Sequence, residues 1–395
     1  MSVGTVSPSK PSPPILTSDS PNRGVTRLPI AWRQAIAATL ATRALFFTIA
    51  YAAQWLLAGT TGPSHAGVFA IWNRYDATQL IGVARFGYTS PLTDPHASVY
   101  FPLYPLLIRA LIAVHVSPLA AGLAISTVAS CVAFFFLFKL AAERLGEDAA
   151  SKAILYLALF PTAVFLVAPY VESLFLAGAT GAFFYARRGR WGPAGIAVAV
   201  ATASRAVGVF LVLGLIAEFI RQRDLSRRRI VIATGALAAG SLPVIAYVGY
   251  LWHLHGTPLY FLHDEAAGWE RHFVGPLISL KNTLSMLEVR QYPTGWIMTI
   301  WGELAAAVAG LALLAWTIAK KEWGYAVYVG ATLAVVLSST WYYSLPRLLL
   351  ALFPLPIMIA ELTAGHKSRH DWVMVSFASF AVVGVVVFTS GHWFY

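Results

Sequence analysis

The sequence predicts an all-α polytopic membrane protein, a class indicated by its composition, its uncharged stretches and the placement of its basic residues. Hydrophobic residues make up 58% of the 395 residues and charged residues only 11%. Soluble domains carry about 25% charged residues, so this composition is typical of a chain that lies in a bilayer. The mean hydropathy of +0.67 agrees with that interpretation.

Long stretches without Asp, Glu, Lys or Arg support the class directly. Crossing roughly 30 Å of hydrocarbon takes about 20 helical residues, and lipid offers no partners to backbone amides, so such stretches should be helical. The alternating pattern of an outer-membrane barrel is absent from the sequence. Together with shorter apolar segments, they predict about 11 transmembrane helices in one domain over residues 29–395. The uncharged stretches include residues 110–138, 153–171, 230–263, 323–346 and 372–395.

Basic residues concentrate in short connectors between the apolar segments. This is the positive-inside pattern, which predicts that the connectors face the cytoplasm. The net charge of +11 therefore does not indicate a nucleic-acid partner. RRGR falls inside only if one earlier segment crosses in part, either residues 101–116 or a short segment around Pro161 and Pro169. The connectors are RRGR at 187–190, RQRDLSRRR at 221–229, KK at 320–321 and HKSRH at 366–370.

Polar segments precede and interrupt the predicted domain. Residues 1–28, rich in Ser and Pro, are expected to form a disordered cytoplasmic tail. With that orientation, two long loops, residues 58–100 and 253–295, share the extracytoplasmic face. The second loop contains aromatic and histidine residues and is expected to cap the headgroup region.

The first outer loop contains a predicted interfacial helix over residues 71–86. An apolar stripe at helical spacing suits a helix that lies in the membrane interface. Asp76 and Arg85 would then point away from the stripe. Asp76 is of special interest because a carboxylate among aromatic residues in this loop is the best candidate for chemistry in a chain with only 17 acidic residues. The stripe consists of Trp72, Tyr75, Leu80 and Val83.

Five motifs follow one another from Trp72 to Pro356. In order they are WNRYDATQL with the nearby GVARFGY and FPLYP, then FPTAVFLVAPYVESLF, ATASRAVGV, HGTPLYFLHDEAAGW and SLPRLLLALFPLPIMIA. Together they resemble the PIG-V-type mannosyltransferases, a family with the GT-C glycosyltransferase fold. Relatives commonly place the aspartate directly beside a tryptophan or similar aromatic residue and follow it with a His/Trp-Tyr pair. Here Tyr75 supplies the aromatic residue before Asp76, but Gln79 and Leu80 follow instead of that pair, which leaves the acceptor open.

The resemblance implies an inverting glycosyltransferase that moves a sugar, usually mannose, from a polyprenyl-phosphate donor to a lipid or glycolipid hydroxyl on the extracytoplasmic face. An inverting reaction needs one carboxylate as general base, and Asp76 is our candidate. The lipid phosphate leaves as a stable anion, so cations or donors to hold it suffice. Arg205 and Arg347, each nearly alone in an uncharged stretch, are the candidates for that task.

Further residues in or near these motifs are expected to bind substrate. No cofactor and no metal are expected, because the sequence has no Asp-x-Asp pair and His253, His255 and His263 lack tight metal-ligand spacing. The Ala-, Arg- and Gly-rich composition suggests a bacterial plasma membrane. The further substrate-binding candidates are Trp72, Tyr75, Arg85, Tyr88, Tyr104, Glu172, His263, Trp269 and Arg271.

Each charged candidate also has a structural alternative. Asp76 could cap its helix or pair with Arg74 or Arg85. Arg205 is costly in hydrocarbon, and a structural ion pair with Glu172 is nearly as favoured as a role in donor binding. Arg347 could extend towards lipid headgroups, and Arg43, nearer the cytoplasmic end, is expected to do so.

Two other functional classes compete with the enzyme. A transporter or lipid flippase would also be polytopic, but such proteins usually contain internal repeats and charges near the midplane. No convincing repeat occurs here, and the distinctive residues gather in loops on one predicted face. A catalytically inactive scaffold is a third possibility, against which the presence of Asp76 argues mildly.

Overall fold

The computed structural model describes residues 1, 28–57, 69–223, 226–288 and 294–395. Within these residues the regular structure is entirely helical, apart from one isolated bridge between Phe273 and Ser339. The prediction of an all-α protein is therefore confirmed. Nearly all of the tail predicted over residues 1–28, and residues 58–68 of the first outer loop, lie outside the described residues.

The described residues form helices that we number in chain order. They are α1 Ile30–Leu57, α2 Asp76–Phe86, α3 Leu103–Ala113, α4 Pro118–Leu145, α5 Glu147–Ala158, α6 Val164–Val167, α7 Glu172–Arg187, α8 Trp191–Ser204, α9 Gly208–Arg221, α10 Arg227–His255, α11 Tyr260–Trp269, α12 Pro276–Ser285, α13 Thr294–Ala319, α14 Trp323–Val336, α15 Leu345–Ala351, α16 Pro354–Leu362 and α17 Lys367–Thr389. Short 3-10 turns at Ala70–Trp72 and Ala97–Val99 add to them.

Five of these helices are long and apolar enough to cross a membrane, namely α1, α4, α10, α13 and α17. The pair α15 and α16, bent by 89°, raises the number of candidate spans to 6 if it is counted as one. The helix α3, in one of the two segments considered for a partial crossing, has 11 residues. The chain is therefore built as a multi-pass membrane protein, and the larger number of about 11 crossings stays a prediction.

Ion pairs gather the basic connectors at one end of the bundle, which we call the basic end. Arg144 of α4 and Arg187 of α7 both contact Glu322, each at 2.5 Å. Glu361 of α16 binds Arg144 at 3.0 Å and Lys320 at 2.5 Å. Opposite charges thus offset one another where helices α4, α7, α13 and α16 end.

The two long loops meet at the other end of the bundle. The Ser98 hydroxyl donates to the Asp264 carboxylate at 2.6 Å, and the Tyr247 hydroxyl donates to the Ser98 carbonyl at 2.7 Å. Tyr247 lies in the same helix as Arg229, which binds Gln222 near the basic end. Eighteen residues of α helix separate the two positions by about 27 Å. Helix α10 therefore links the basic end to the end formed by the loops.

The interfacial helix predicted over residues 71–86 is interrupted at Tyr75. Tyr75 has a left-handed backbone φ of 50°, so α2 begins only at Asp76 and Trp72 lies in the preceding 3-10 turn. Three of the four stripe residues are buried, with Leu80 and Val83 at 1% and 3% exposure, and Tyr75 is partly buried, so the stripe packs on the bundle instead of lying on lipid. Burial of this face turns the start of α2 towards the protein interior.

The expectation that Arg43 extends to the membrane surface is wrong. Its guanidinium donates to the Leu166 carbonyl at 2.7 Å and to the Ser130 hydroxyl at 2.9 Å. Leu166 belongs to α6, a four-residue helix whose carbonyls have too few intrahelical partners. Arg43 therefore satisfies backbone carbonyls inside the bundle.

Candidate functional site

A cavity of about 210 Å³ lies at the end of the bundle where the two long loops meet. The first long loop contributes Tyr100, the second contributes Trp269 and Arg271, and the connector before α15 contributes Tyr343. Asp76, Arg205, Glu265 and Arg347 add further charged side chains to the wall, and Trp393 adds an aromatic surface. Residues far apart in sequence thus surround one space.

Four charged side chains, which we call the charged cluster, form an alternating chain beside this cavity. Arg347 contacts Asp76 at 2.6 Å with one nitrogen and Glu172 at 2.5 Å with another. Glu172 also binds Arg205 at 2.9 Å. Two carboxylates and two guanidinium groups give the cluster no net charge, which is the arrangement that makes burial of charges tolerable.

Local structure explains how Asp76 and Arg347 meet. Asp76 is the first residue of α2, where the helix dipole favours a negative charge. Arg347 lies in the first turn of α15, and the buried Glu303 carboxylate accepts the backbone N–H groups of Ser344 at 2.7 Å and Leu345 at 2.8 Å. Glu303 thereby fixes the start of α15 and the direction of the Arg347 side chain.

Asp76 is held in place but remains open to the cavity. One carboxylate oxygen receives Arg347, and the other lies 3.4 Å from the donating Tyr100 hydroxyl. Burial and then the proximity of Asp76 raise the pKa of Tyr100 far above its usual range, so this hydroxyl stays protonated and can donate. The side chain of Asp76 is 20% exposed, which leaves room for a ligand to reach the carboxylate.

Glu172 binds both arginines but does not itself line the cavity. Both Arg205 and Arg347 bind the same oxygen, Oε1, and the side chain is fully buried. The other oxygen, Oε2, has no hydrogen-bond partner among the described residues. Glu172 therefore acts on the cavity through the guanidinium groups that it positions.

Arg271 is fixed on the opposite side by the second loop and the connector before α15. It binds Glu265 at 3.0 Å and the Tyr343 carbonyl at 2.8 Å, and its guanidinium lies 4.9 Å above the Tyr343 ring. Burial raises the pKa of the Tyr343 hydroxyl to about 12, so that group is neutral at physiological pH. Trp269 stands edge-on to Tyr100 at 6.5 Å.

The structure brings part of the predicted substrate-binding set to the cavity. Arg205, Trp269, Arg271 and Arg347 line it together with Asp76. Glu172 lies directly behind the two arginines. Tyr75 precedes Asp76 and packs edge-on against the cavity residue Trp393 at 5.5 Å.

The other predicted residues lie away from the cavity wall. Trp72 is fully buried and packs on Phe47 at 4.8 Å. Tyr104 is also fully buried, and its hydroxyl donates to the Gly122 carbonyl at 2.8 Å. Tyr88 uses its hydroxyl on the Tyr100 carbonyl at 2.6 Å, so it supports a lining residue.

Arg85 and His263 are both on the outside of the protein. Arg85 lies over the ring of its neighbour Phe86 at 4.8 Å. The side chain of His263 is 66% exposed and stands 3.8 Å from Asp264. Neither residue lines the cavity, because each projects from the exposed face of its helix. Their predicted roles in substrate binding have no support from this geometry.

The observed contacts can be compared with the structural alternatives for the three charged residues. Asp76 pairs with Arg347 and not, among the described residues, with Arg74 or Arg85. The Arg205–Glu172 pair that was considered as an alternative is present. Arg347 does not extend to headgroups, because only 11% of its side chain is exposed and both of its carboxylate partners are inside the protein.

Sequence reasoning missed several lining residues. Tyr100 directly precedes the FPLYP segment, and this position was a signal in the sequence. Glu265 lies in the motif that contains Trp269, so the sequence offered a signal for this residue too. Tyr343 and Trp393 carry no pattern that separates them from other aromatic residues near membrane surfaces.

No group of three or more His, Cys, Asp or Glu side chains that could hold a metal ion occurs in the part of the chain that the structure describes. The buried Asp264 carboxylate does lie near two histidines, 3.5 Å from His96 and 3.8 Å from His263. Ser98 also binds this carboxylate, so the group joins the two loops. The absence of a required metal stays a prediction.

The cavity combines the elements of a displacement reaction: a carboxylate to take a proton, guanidinium groups to hold an anion and aromatic surfaces to hold a ring. Asp76 and Arg205 supply the first two, and Trp269 and Trp393 supply the third. Such a mixed polar and apolar concavity is typical of a small-molecule site. A comparison with known protein families and with curated proteins finds no match to this chain.

Proposed function

We propose that the protein is an inverting membrane glycosyltransferase. It transfers a sugar, mannose by the sequence resemblance, from a polyprenyl-phosphate donor to a hydroxyl of a lipid or glycolipid acceptor. The observation that carries the proposal is the accessible Asp76 carboxylate, held by Arg347 in a cavity that also contains Arg205 and two tryptophans. The resemblance of five ordered motifs to the PIG-V-type family supports it.

In the proposed reaction, the acceptor oxygen attacks the anomeric carbon of the sugar. Asp76 takes the acceptor's proton as the new carbon–oxygen bond forms. The bond between the anomeric carbon and the phosphate oxygen breaks, and its electron pair leaves with polyprenyl phosphate. Arg347 contacts one carboxylate oxygen of Asp76 at 2.6 Å and thereby holds the side chain in the cavity wall, within reach of an acceptor hydroxyl.

Arg205 is the proposed ligand of the donor phosphate. It lines the cavity, is 21% exposed, and among the described residues makes one side-chain hydrogen bond, through Nη1 to Glu172. Its other nitrogens carry donors that suit phosphate oxygens, and charge-assisted bonds would stabilise the leaving anion. Arg347 supports the same anion more weakly, because two carboxylates already engage it.

The proposed orientation puts the basic end in the cytoplasm and the cavity on the extracytoplasmic face of a bacterial plasma membrane. The shorter helices α5, α7, α8, α9 and α14 would also cross, which with the 6 candidate spans gives 11. These helices have 12 to 16 residues, fewer than the roughly 20 that an isolated span needs. Neighbouring helices and irregular protein-buried segments would complete their crossings.

A transfer assay tests the proposed function. Purified protein in lipid vesicles is supplied with radiolabelled polyprenyl-phosphate mannose and a bacterial glycolipid extract, and products are separated and identified by mass spectrometry. We expect a labelled glycolipid with a new glycosidic bond. Movement of the donor or acceptor across the vesicle membrane without a covalent product would instead support a transporter or flippase. If the assay shows neither transfer nor movement, a catalytically inactive scaffold is favoured.

Replacing Arg205 with alanine is expected to raise KM for the donor about tenfold or more, because charge-assisted bonds to phosphate are among the stronger hydrogen bonds. KM for the acceptor should change much less. The matched control is Arg85→Ala, which removes an exposed arginine outside the cavity. An unchanged donor KM in Arg205→Ala would remove this residue from the donor site and leave it with its structural role beside Glu172.

A further inference from the structure

The residues that follow α17 return to the cavity and form part of its wall. Helix α17 ends at Thr389, and Gly391, with a φ of 82°, reverses the chain direction. The backbone N–H groups of Gly391 and His392 donate to the Phe388 and Val387 carbonyls, which closes the helix end. The turn directs Trp393 into the lining of the cavity.

Trp393 connects the two elements that carry the reactive part of the charged cluster. Its ring packs edge-on against Tyr75, which directly precedes Asp76, at 5.5 Å. On its other side it lies 5.6 Å from Tyr343, four residues before Arg347. The indole is therefore fixed in relation to both Asp76 and Arg347, although it contacts neither ion pair.

The residues beyond Trp393 anchor this segment to the bundle. The Phe394 ring lies parallel to Phe165 at 6.3 Å. It also fills the space beside Gly384 of α17, where a Cβ atom would approach the ring to 2.6 Å. Gln54 of α1 donates to the Thr389 carbonyl at 2.9 Å, which fixes the base of the turn. The position of Trp393 is thus set by packing on both sides.

We infer that Trp393 forms one wall of the sugar subsite and binds the C–H face of the pyranose ring. This inference rests on the proposed function, because it names the part of the donor that this wall contacts. An indole presents a flat apolar face, whereas a sugar ring presents polar edges and an apolar patch of C–H groups. A partly exposed tryptophan in a cavity with Asp76 suits that patch.

This placement separates the recognition of the sugar from that of the phosphate. Arg205 and Arg347 lie in the charged part of the wall, and Trp393 lies in the aromatic part next to Tyr75 and Tyr343. A donor with its phosphate at the arginines would present its sugar ring to the rest of the cavity. Trp393 should therefore affect the affinity for the sugar-bearing donor and not that for polyprenyl phosphate alone.

The experiment compares Trp393→Ala and Trp393→Phe with wild type in the transfer assay. Two constants are measured: KM for polyprenyl-phosphate mannose, and the inhibition constant of sugar-free polyprenyl phosphate. We expect Trp393→Ala to raise the donor KM about tenfold and to leave the inhibition constant within about twofold. Trp393→Phe, which keeps an aromatic face, should recover most of the loss. Trp372→Ala, at a 72% exposed position of the preceding helix α17, is the matched control.

The possible results distinguish the two proposals. If wild type transfers sugar but Trp393→Ala keeps the wild-type donor KM, the sugar-subsite inference is wrong and the proposed function stands. If Trp393→Ala raises the donor KM and the inhibition constant of polyprenyl phosphate by the same factor, Trp393 supports the structure of the whole site and the inference is also wrong. If wild type forms no glycosidic product, the proposed function fails and the inference fails with it.

Discussion

Asp76→Asn is expected to lower the rate of sugar transfer by about 100- to 10,000-fold, the usual contribution of a general base. An amide has nearly the same shape as the carboxylate and can still accept a hydrogen bond from Tyr100 or Arg347. It cannot accept the acceptor's proton at neutral pH. KM for the donor should change by only a few fold, because the base acts in the transition state.

The measurement is kcat for glycolipid formation, together with the thermal unfolding midpoint in detergent. Asp148→Asn is a suitable control, because this aspartate is 87% exposed and belongs to the basic-end helix α5. It should keep wild-type kcat. Substantial activity in Asp76→Asn with a normal unfolding midpoint would show that Asp76 serves the fold and that another group takes the proton.

Arg347→Ala is expected to have the largest effect on stability, a loss of about 3–5 kcal/mol in the free energy of unfolding. Removing this guanidinium leaves Asp76 without its ion pair and Glu172 with Arg205 as its remaining partner. Glu172 is fully buried, so the unbalanced charge is not screened by water. Transfer activity should fall below detection as well.

A double-mutant cycle separates the ion pair from general packing damage. Glu172→Gln removes the buried charge, so adding it to Arg347→Ala should recover part of the lost stability. Unfolding midpoints of the two single variants and the double variant provide the test. Strictly additive losses would mean that the Arg347–Glu172 contact carries no coupling energy. If Arg347→Ala lowers the free energy of unfolding by less than about 1 kcal/mol, Arg347 behaves as an arginine that only extends towards lipid headgroups.

The class of the fold was predictable because hydrocarbon imposes a simple rule. Long uncharged stretches have to be helical in lipid, so composition and stretch length were sufficient for α4, α10 and α17. The interruption at Tyr75 was not predictable. A left-handed tyrosine depends on the packing of the buried turn before α2, and no local propensity favours that conformation.

The composition of the site was predictable only in part. Asp76, Arg205 and Arg347 were selected because charges are costly and rare in apolar stretches, and the structure brings them together. The Arg205–Glu172 pair was weighed from the sequence, but the contacts of Arg347 could not be read from it, since the Asp76–Arg347 pair joins positions 271 residues apart. Tyr104 shows the opposite case. It lies in a recognisable motif, but the face of α3 that contains it is buried.

The charged cluster has a consequence for how the chain is made. Its members occur at positions 76, 172, 205 and 347, so the ribosome completes most of the protein before the last charge emerges. During that interval Glu172 has only Arg205 as a partner within the cluster, and Asp76 has none. The cluster therefore has one uncompensated carboxylate until Arg347 of α15 joins it. The charge balance of the site is thus complete only when the C-terminal part of the chain, with Arg347, has been made.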